Sequence, residues 1–151
     1  MLSFRQWLKE VRLVHGTLAD HIPSIRKNWL QPGTSEYTKD FYDDTKDTVF
    51  AAHQNDVKRA HSSIRGQIGK KLGKHPAEVT GDDIEKHGAL VVTHSNDDTI
   101  RHDVDVYSYA AEYAPPQAEH GDYYSHSDME PTGFLKGKRL RSFLQKRKLS
   151  D

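Results

Sequence analysis

Three short stretches of this 151-residue sequence combine residue types that could bind a ligand or stabilise charge. They are His15-Gly16-Thr17, residues 49–52 with the letters VFAA, and residues 121–125 with the letters GDYYS. A histidine beside a glycine, ahead of a helical pattern, is typical of a turn, because glycine adopts backbone angles that other residues avoid. The same arrangement is also typical of a nucleotide-binding corner. The choice between the two depends on the elements around these stretches.

The spacing of apolar residues predicts an α+β fold, and the length is typical of one domain. A strand end at Leu13-Val14 precedes a helix over 20–29, whose Pro23 fits only the first turn. The second helix is expected to bury an apolar face of Val57, Ala60, Ile64, Ile68 and Leu72. Further strands are expected over 48–52, 89–93, 99–106, 121–125 and 133–135. His75-Pro76 and Thr80-Gly81 indicate turns.

Several classes of protein are excluded by what the sequence lacks. The absence of cysteine excludes disulfides, cysteine catalysis and thiolate metal sites. The ten histidines are scattered without a metal-binding motif, so no metal site is expected, and no phosphate-binding glycine loop or nucleophile elbow occurs. No apolar run approaches the roughly 18 residues of a membrane helix, so no membrane partner is expected.

Charge is balanced over the chain but uneven along it. Lysine plus arginine and aspartate plus glutamate each number 22, yet residues 136–148 hold seven basic residues and no acidic one. Such a run is typical of a solvated terminal helix, and it also suits contact with nucleic acid or another acidic surface. We therefore treat residues 136–151 as a basic C-terminal tail.

Taken in order, the three stretches resemble the motifs of the ADP-ribosyltransferase fold, in the His-Tyr-Glu class that includes diphtheria toxin and the poly(ADP-ribose) polymerases. His15-Gly16-Thr17, with the following helix and its KNWLQPG end, resembles the family's histidine corner. Residues 49–53 resemble a family strand of the form IYFAD, and residues 122–125 resemble its carboxylate and aromatic strand. The resemblance covers residues 11–135. It implies one domain with a split, mostly antiparallel sheet and flanking helices.

The resemblance also implies NAD as co-substrate and a catalytic pair of His15 and Asp122. Cleaving the bond between nicotinamide and ribose leaves positive charge on the ribose, and a fixed carboxylate such as Asp122 stabilises that charge. The family prefers glutamate at this position, and aspartate is one methylene shorter. Glu119 and Glu130 are the alternative carboxylates.

The remaining site residues implied by the resemblance bind the cofactor. His15 would hold the adenine-side ribose, with Gly16 and Thr17 completing that corner. Phe50 and His61 would line the nicotinamide slot, where flat rings exclude water, and Tyr123 would lie beside them. The family prefers tyrosine where Phe50 stands, so the ring is kept and a hydroxyl is lost. Each of these residues also has a plain structural explanation as a turn, cap or core residue.

The first ten residues, MLSFRQWLKE, raise a second resemblance. They resemble the capsid-targeting segments of internal head proteins in T-even-like phages, which are cut after a glutamate. An ordinary first helix packed on the domain is the alternative. The expected organisation is residues 1–10 as this amphipathic segment, 11–135 as the ADP-ribosyltransferase-like domain and 136–151 as the tail.

Together the two resemblances imply a phage-encoded mono-ADP-ribosyltransferase located in the virion, the host cytoplasm or both. Its partners would be a host macromolecule, either protein or nucleic acid, and the phage capsid or prohead. Two alternatives stay open. One is a catalytically inactive binding or virion protein on the same fold. The other is an enzyme similar to a tRNA 2′-phosphotransferase, which the basic tail suggests.

Overall fold

The computed structural model describes residues 12–32, 49–53, 57–94, 100–102, 122–125 and 128–149. Its strands are β1 (Arg12–Leu18), β2 (Val49–His53), β3 (Gly88–His94), β4 (Ile100–His102), β5 (Asp122–Ser125) and β6 (Gly133–Lys136). Its α-helices are α1 (Ile22–Asn28), α2 (Val57–Leu72), α3 (Gly81–His87) and α4 (Gly137–Lys146). Two short 3-10 helices cover Ala19–His21 and Pro76–Glu78.

The described strands form one sheet in the order β4-β5-β2-β1-β3-β6, and every neighbouring pair is antiparallel. The prediction of a single α+β domain with a mostly antiparallel sheet and flanking helices is therefore confirmed.

The ladder of paired residues between β1 and β2 is much shorter than the ladder between β1 and β3. Seven residue pairs join β1 to β3, whereas only Leu13–His53 and Val14–Ala52 join β1 to β2 within the described residues. The sheet thus consists of two three-stranded halves, β4-β5-β2 and β1-β3-β6, held together at one short seam. The described strands form one continuous sheet, so the expected split is limited to this seam.

The two faces of the sheet bury different sets of apolar side chains, because successive residues of a strand point to opposite faces. Val14 packs on one face with the helices α2, α3 and α4, and Leu13 packs on the other with α1. The first cluster includes Ala52, Ile64, Ile68, Ile84, Leu90, Leu140 and Leu144. The second includes Ile25, Leu30, Val49, Ala51, Val91 and Met129, and an isolated bridge pairs Leu30 with Met129.

Most helices follow the pattern of the sequence. The apolar spacing predicts α2, and the side chains of Val57, Ala60, Ile64 and Ile68 are buried as expected. Leu72, placed on the same face by its spacing, is instead exposed at the end of the helix. Pro23 lies in the first turn of α1, where its missing N–H leaves no hydrogen bond unmade.

Helix α3 begins where the sequence pattern indicates only a turn at Thr80-Gly81. A capping box starts this helix: the Thr80 hydroxyl accepts from the Asp83 N–H at 3.2 Å, and the Asp83 carboxylate accepts from the Thr80 N–H at 3.0 Å. Lys74 donates to the same carboxylate at 2.9 Å. Together these bonds lower the pKa of Asp83 to about 2, the backbone bond from Thr80 being the largest cause.

The folded unit continues into the segment that its charge pattern indicated as a tail. The boundary expected after residue 135 falls inside β6, and the helix that follows buries the side chains of Leu140 and Leu144 in the core. The prediction for residues 1–10 lies outside the described residues. None of the described helices is both long and apolar enough to cross a membrane.

Candidate functional site

His15, Gly16 and Thr17 lie inside β1 and not at its end. The expected corner between a strand and a helix was wrong in this respect, because β1 continues to Leu18 and the first helical turn begins at Ala19. All three residues pair with β3, His15 with Val91 and Gly16 with Leu90. His15 is half-buried, whereas Gly16 and Thr17 are buried.

The backbone of Gly16 faces the edge of β1 that β2 leaves uncovered. Val92, the β3 partner of Val14, turns its carbonyl towards β6, where it accepts from the Thr132 N–H at 2.7 Å. Hydrogen-bonded and non-bonded pairs alternate along an antiparallel ladder, so Gly16, two residues beyond Val14, also points its N–H and C=O away from β3. The pairing with β2 has already ended there.

Two side chains of α2 bind the Gly16 carbonyl in place of a strand. The Gln67 amide donates to it at 2.9 Å and the Ser63 hydroxyl donates at 3.3 Å. Gln67 also donates to the Ser63 oxygen at 3.0 Å. The open edge of β1 therefore presents a small polar cluster of Gly16, Ser63 and Gln67. Ser63 and Gln67 escape prediction from the sequence, since polar residues at these positions are also typical of a solvated helix face.

The glycine at position 16 is required by packing. A Cβ atom there would overlap the carbonyl oxygen of Ala60 and lie 3.0 Å from Cγ1 of Ile64. Gly16 thus allows α2 to lie directly on β1. Close approach of the backbone to a ligand is not needed to explain this glycine.

Thr17 has a structural partner of its own. Its hydroxyl lies 2.9 Å from Nδ1 of His21, across the 3-10 turn that follows β1. Because Thr17 is buried, this bond satisfies a hydroxyl that would otherwise lose its hydrogen bonds to water. Its expected role in cofactor binding has no support from this contact.

The other two stretches lie on β2 and β5, which are neighbours. Phe50 pairs with Tyr124, Ala51 with Tyr123 and Ala52 with Asp122. The side chains of Phe50, Asp122 and Tyr123 lie outside the described residues, so the backbone register is what the structure establishes for them.

Of the two alternative carboxylates, the structure describes Glu130 and not Glu119. Glu119 lies outside the described residues. Glu130 is exposed, and its carbonyl accepts from the Thr93 hydroxyl at 2.9 Å, beside the bridge between Leu30 and Met129.

The sheet brings the three stretches onto three adjacent strands, in the order β5, β2 and β1. Asp122 pairs with Ala52 on β2, and Ala52 pairs with Val14 on β1. The backbone of Asp122 therefore lies two strands from β1. Two strand spacings are about 10 Å. The histidine stretch and the carboxylate stretch therefore flank the short seam from its two sides.

His61 lies on α2 but away from the polar cluster at Gly16. Its neighbour Ser63 bonds to the Gly16 carbonyl, and residues two apart in a helix do not share a side. His15 has the strand parity of Leu13 and so belongs to the α1 face of β1, whereas α2 covers the opposite face. A single ligand could touch both histidines only across the open edge of β1.

The imidazole of His61 is buried, and its Nε2 has no hydrogen-bond partner in the part of the chain that the structure describes. Burial lowers the pKa of His61 below its ordinary value of 6.5, and the nearby charge of Arg65 lowers it further. The ring is therefore neutral at pH 7.

The depressed pKa of His61 makes stability depend on pH. The unfolded chain takes up this proton near pH 6.5 and the folded chain only at lower pH, so the free energy of unfolding should fall as pH drops below about 6.5. In His61→Leu that fall should be smaller, while stability at pH 7.5 should be unchanged or higher by about 1 kcal/mol, since a buried unpaired nitrogen is removed. Urea unfolding at several pH values measures both effects.

The matched control is His75→Asn. His75 is exposed and its Nδ1 accepts from the Ala77 N–H, a bond that an asparagine oxygen also makes. His61 is unchanged in this variant, so its free energy of unfolding should still fall as pH drops below about 6.5. Equal slopes for wild type and His61→Leu would contradict the prediction.

A separate surface groove of about 370 Å³ lies away from the three stretches. Arg65, Thr80, Asp82 and Arg141 are among its lining residues. Both arginines already have partners: Arg65 donates to the carbonyls of residues 76, 77 and 79, and Arg141 pairs with Asp82. Among the residues that the structure describes, no group of three or more potential ligand side chains could hold a metal ion.

Comparison of the chain with protein-family models, with curated proteins and with solved structures found no match.

Proposed function

We propose that this protein is a mono-ADP-ribosyltransferase that uses NAD to modify a host macromolecule. The observation that carries the proposal is the convergence of three separate stretches of sequence on three adjacent strands around a short seam. A different strand order would have separated them. The phage origin, the virion or host cytoplasm as location, and the capsid or prohead as partner are part of the same proposal.

In this proposal NAD lies along the open edge of β1. His15 donates or accepts a hydrogen bond at the adenine-side ribose, and the backbone of Gly16 completes that corner once the ligand displaces Gln67 and Ser63 from its carbonyl. The Thr17 hydroxyl and the missing side chain of Gly16 contribute to the fold and not to binding of the ligand.

Phe50 provides a ring on the neighbouring strand β2, and His61 contributes a neutral ring only where the ligand passes beyond β1. Tyr123 has the opposite strand parity to Phe50, so in this proposal it serves only on the His15 side of the open edge.

Asp122 would supply the negative charge that the reaction needs. As the nicotinamide departs with the electron pair of the glycosidic bond, positive charge builds on the ribose, and a carboxylate fixed on a ribose hydroxyl stabilises it. A nucleophile of the target then forms the new bond to the ribose carbon and loses its proton. Removal of the Asp122 carboxylate should lower the rate about 10²–10³-fold.

The test is transfer of label from NAD to components of a bacterial lysate, together with release of free nicotinamide. We expect both with the intact protein, a loss of at least about 100-fold in Asp122→Ala, and weaker binding of NAD by calorimetry in His15→Ala. Asp122→Glu should retain activity or exceed the wild type, because the family carries glutamate there. Glu130→Ala should leave turnover unchanged if Asp122 is the carboxylate.

Failure of the folded protein to bind NAD would overturn the proposal. Turnover lost in Glu130→Ala and kept in Asp122→Ala would move the catalytic carboxylate to the alternative position. Circular dichroism of every variant separates these outcomes from unfolding.

One observation favours the inactive binding or virion protein as a second candidate. The Gly16 carbonyl, which faces the open edge, is already bonded to Gln67 and Ser63, so a ligand would have to displace them. NAD binding without release of nicotinamide would support that candidate. An enzyme similar to a tRNA 2′-phosphotransferase would instead be supported by turnover of 2′-phosphorylated RNA.

A further inference from the structure

Helix α4 turns one strongly cationic face to solvent. Its apolar residues Leu140 and Leu144 are buried, so the opposite side of the helix is fixed outwards. We call five exposed cations the α4 basic face: Lys136, Lys138, Arg139, Lys146 and Lys148. Arg147 is exposed too but is left out, because its guanidinium lies over the Phe143 ring. The exposed residues between them on the helix are Ser142 and Gln145, which are polar and uncharged. No acidic residue occurs from 131 to 150.

No carboxylate of the described residues neutralises the cations of the α4 basic face. Within the described ranges, none of the five lies within ion-pair distance of a carboxylate. Arg141, on the side of α4 that faces α3, behaves differently: it pairs with Asp82 at 2.6 Å and Glu85 at 3.1 Å. The acidic groups near α4 therefore serve to attach the helix, and the outward cations are left to solvent.

Part of this face opposes the stability of its own helix. Lys138 and Arg139 lie in the first turn of α4, which holds no acidic residue, and Lys136 at the N-cap provides no capping hydrogen bond. The positive end of the helix dipole disfavours each cation there by about 0.3–1 kcal/mol. Departures from local preference of this kind are expected at functional surfaces.

The composition of the face distinguishes between classes of partner. Protein interfaces derive most of their affinity from buried aromatic and apolar anchors, and the exposed side of α4 offers none. Insertion into a membrane interface needs an apolar helix face, and the one on α4 is buried in the core. Binding to a phosphodiester backbone needs only cations and hydrogen-bond donors in a row.

We infer that the α4 basic face is a binding surface for the phosphate backbone of nucleic acid. A helix of ten residues is about 15 Å long, enough to follow several phosphates. The contacts are to phosphates alone, so binding is independent of base sequence. The inference is separate from the proposed NAD chemistry, because no residue of the α4 basic face belongs to the candidate site.

The test is fluorescence anisotropy of the full chain with a labelled mixed-sequence DNA duplex and with a single-stranded RNA of the same length. Three to five phosphate contacts predict a plot of log K against log salt with a slope between about −2.7 and −4.5 for the duplex. Lys138→Glu/Arg139→Glu should weaken binding at least about tenfold at low salt. Its helix should stay intact, because acidic residues suit the first turn.

The matched control is Lys27→Glu/Lys58→Glu, which makes the same change in net charge at exposed lysines of α1 and α2. It should weaken binding less than about threefold if α4 makes the contacts. Equal losses in both double variants would overturn the inference, and so would absence of binding at low salt. Binding to vesicles containing phosphatidylserine in preference to both nucleic acids would also overturn it. Binding to only one of the two nucleic acids would support it and identify the kind of strand.

Discussion

Gly16→Ala should lower the free energy of unfolding by about 3 kcal/mol, the upper end of the usual cost of overpacking. The added Cβ would overlap the carbonyl oxygen of Ala60 and lie 3.0 Å from the carbonyl carbon of that residue and from Cγ1 of Ile64. A flexible side chain could rotate away, but the Ala60 carbonyl belongs to the backbone of α2. The helix or the strand must therefore shift, and the core between them loses contacts.

Urea unfolding followed by circular dichroism measures this loss, and Gly133→Ala is the matched control. Gly133 also lies in a strand, and the nearest atom to its added Cβ is Cβ of Val92 at 3.9 Å. That substitution should be neutral or stabilise by up to about 1 kcal/mol, since alanine restricts the unfolded chain. Similar stability of the two variants would show that α2 does not need the glycine to lie on β1.

Gly16→Ala also distinguishes two explanations for the glycine, approach of a ligand and packing of α2 on β1. If Gly16 served only ligand approach, alanine would reduce NAD binding and leave stability alone. If it serves packing, as the contacts indicate, stability falls first. Because the Gly16 carbonyl is held by Gln67 and Ser63, a shift of α2 would also disturb the polar cluster at the open edge. If the protein binds NAD as proposed, this variant should also lose that binding, as a consequence of unfolding or of the displacement of α2.

Most elements can be predicted from the sequence because their signals are local. The apolar spacing of Val57, Ala60, Ile64 and Ile68 repeats with the helical period. The apolar run over 89–93 lies within β3. Helix α3 escapes prediction because it is only seven residues long and buries a single large side chain, Ile84. Its Thr80–Asp83 capping box is the available signal.

The extent of β1 escapes prediction for a different reason. Glycine in a strand is usually unfavourable, so His15-Gly16-Thr17 indicates a turn when only its neighbours in the sequence are considered. What permits Gly16 in the strand is the approach of α2, more than forty residues later in the chain. Tertiary contact of this kind leaves no local mark in the sequence.

The order of the three stretches along the chain is visible in the sequence, but their spatial arrangement is not. It depends on β2 pairing with β5 and on the ladder between β1 and β2, which has two residue pairs within the described residues. The end of that ladder exposes the edge at Gly16, and nothing in residues 13–18 or 49–53 indicates it. The same long-range pairing places Asp122 two strands from β1 and leaves His61 on another side of α2.

Leu140→Ala should lower the free energy of unfolding by about 2–5 kcal/mol, as large-to-small changes in a core do. The seven basic residues over 136–148 indicate a tail, yet the side chain of Leu140 is completely buried and packs in the same cluster as Ile64, Ile84 and Leu90. The loss combines the transfer free energy of the removed methyl groups with the cavity left between α4 and the sheet. Folded proteins of this size are stable by only about 5–15 kcal/mol.

Leu72→Ala is the control for this prediction, because Leu72 also lies on a helix but is exposed at its end. Its effect on urea unfolding should be within about 0.5 kcal/mol of the wild type. A similarly small effect of Leu140→Ala would mean that α4 does not pack on the sheet and that residues 136–151 form a tail after all. In the expected case, the cations of the α4 basic face are held on a rigid support. The charge-reversal test of nucleic-acid binding then reports on a fixed surface, since the helix that carries it cannot leave the domain without unfolding the core.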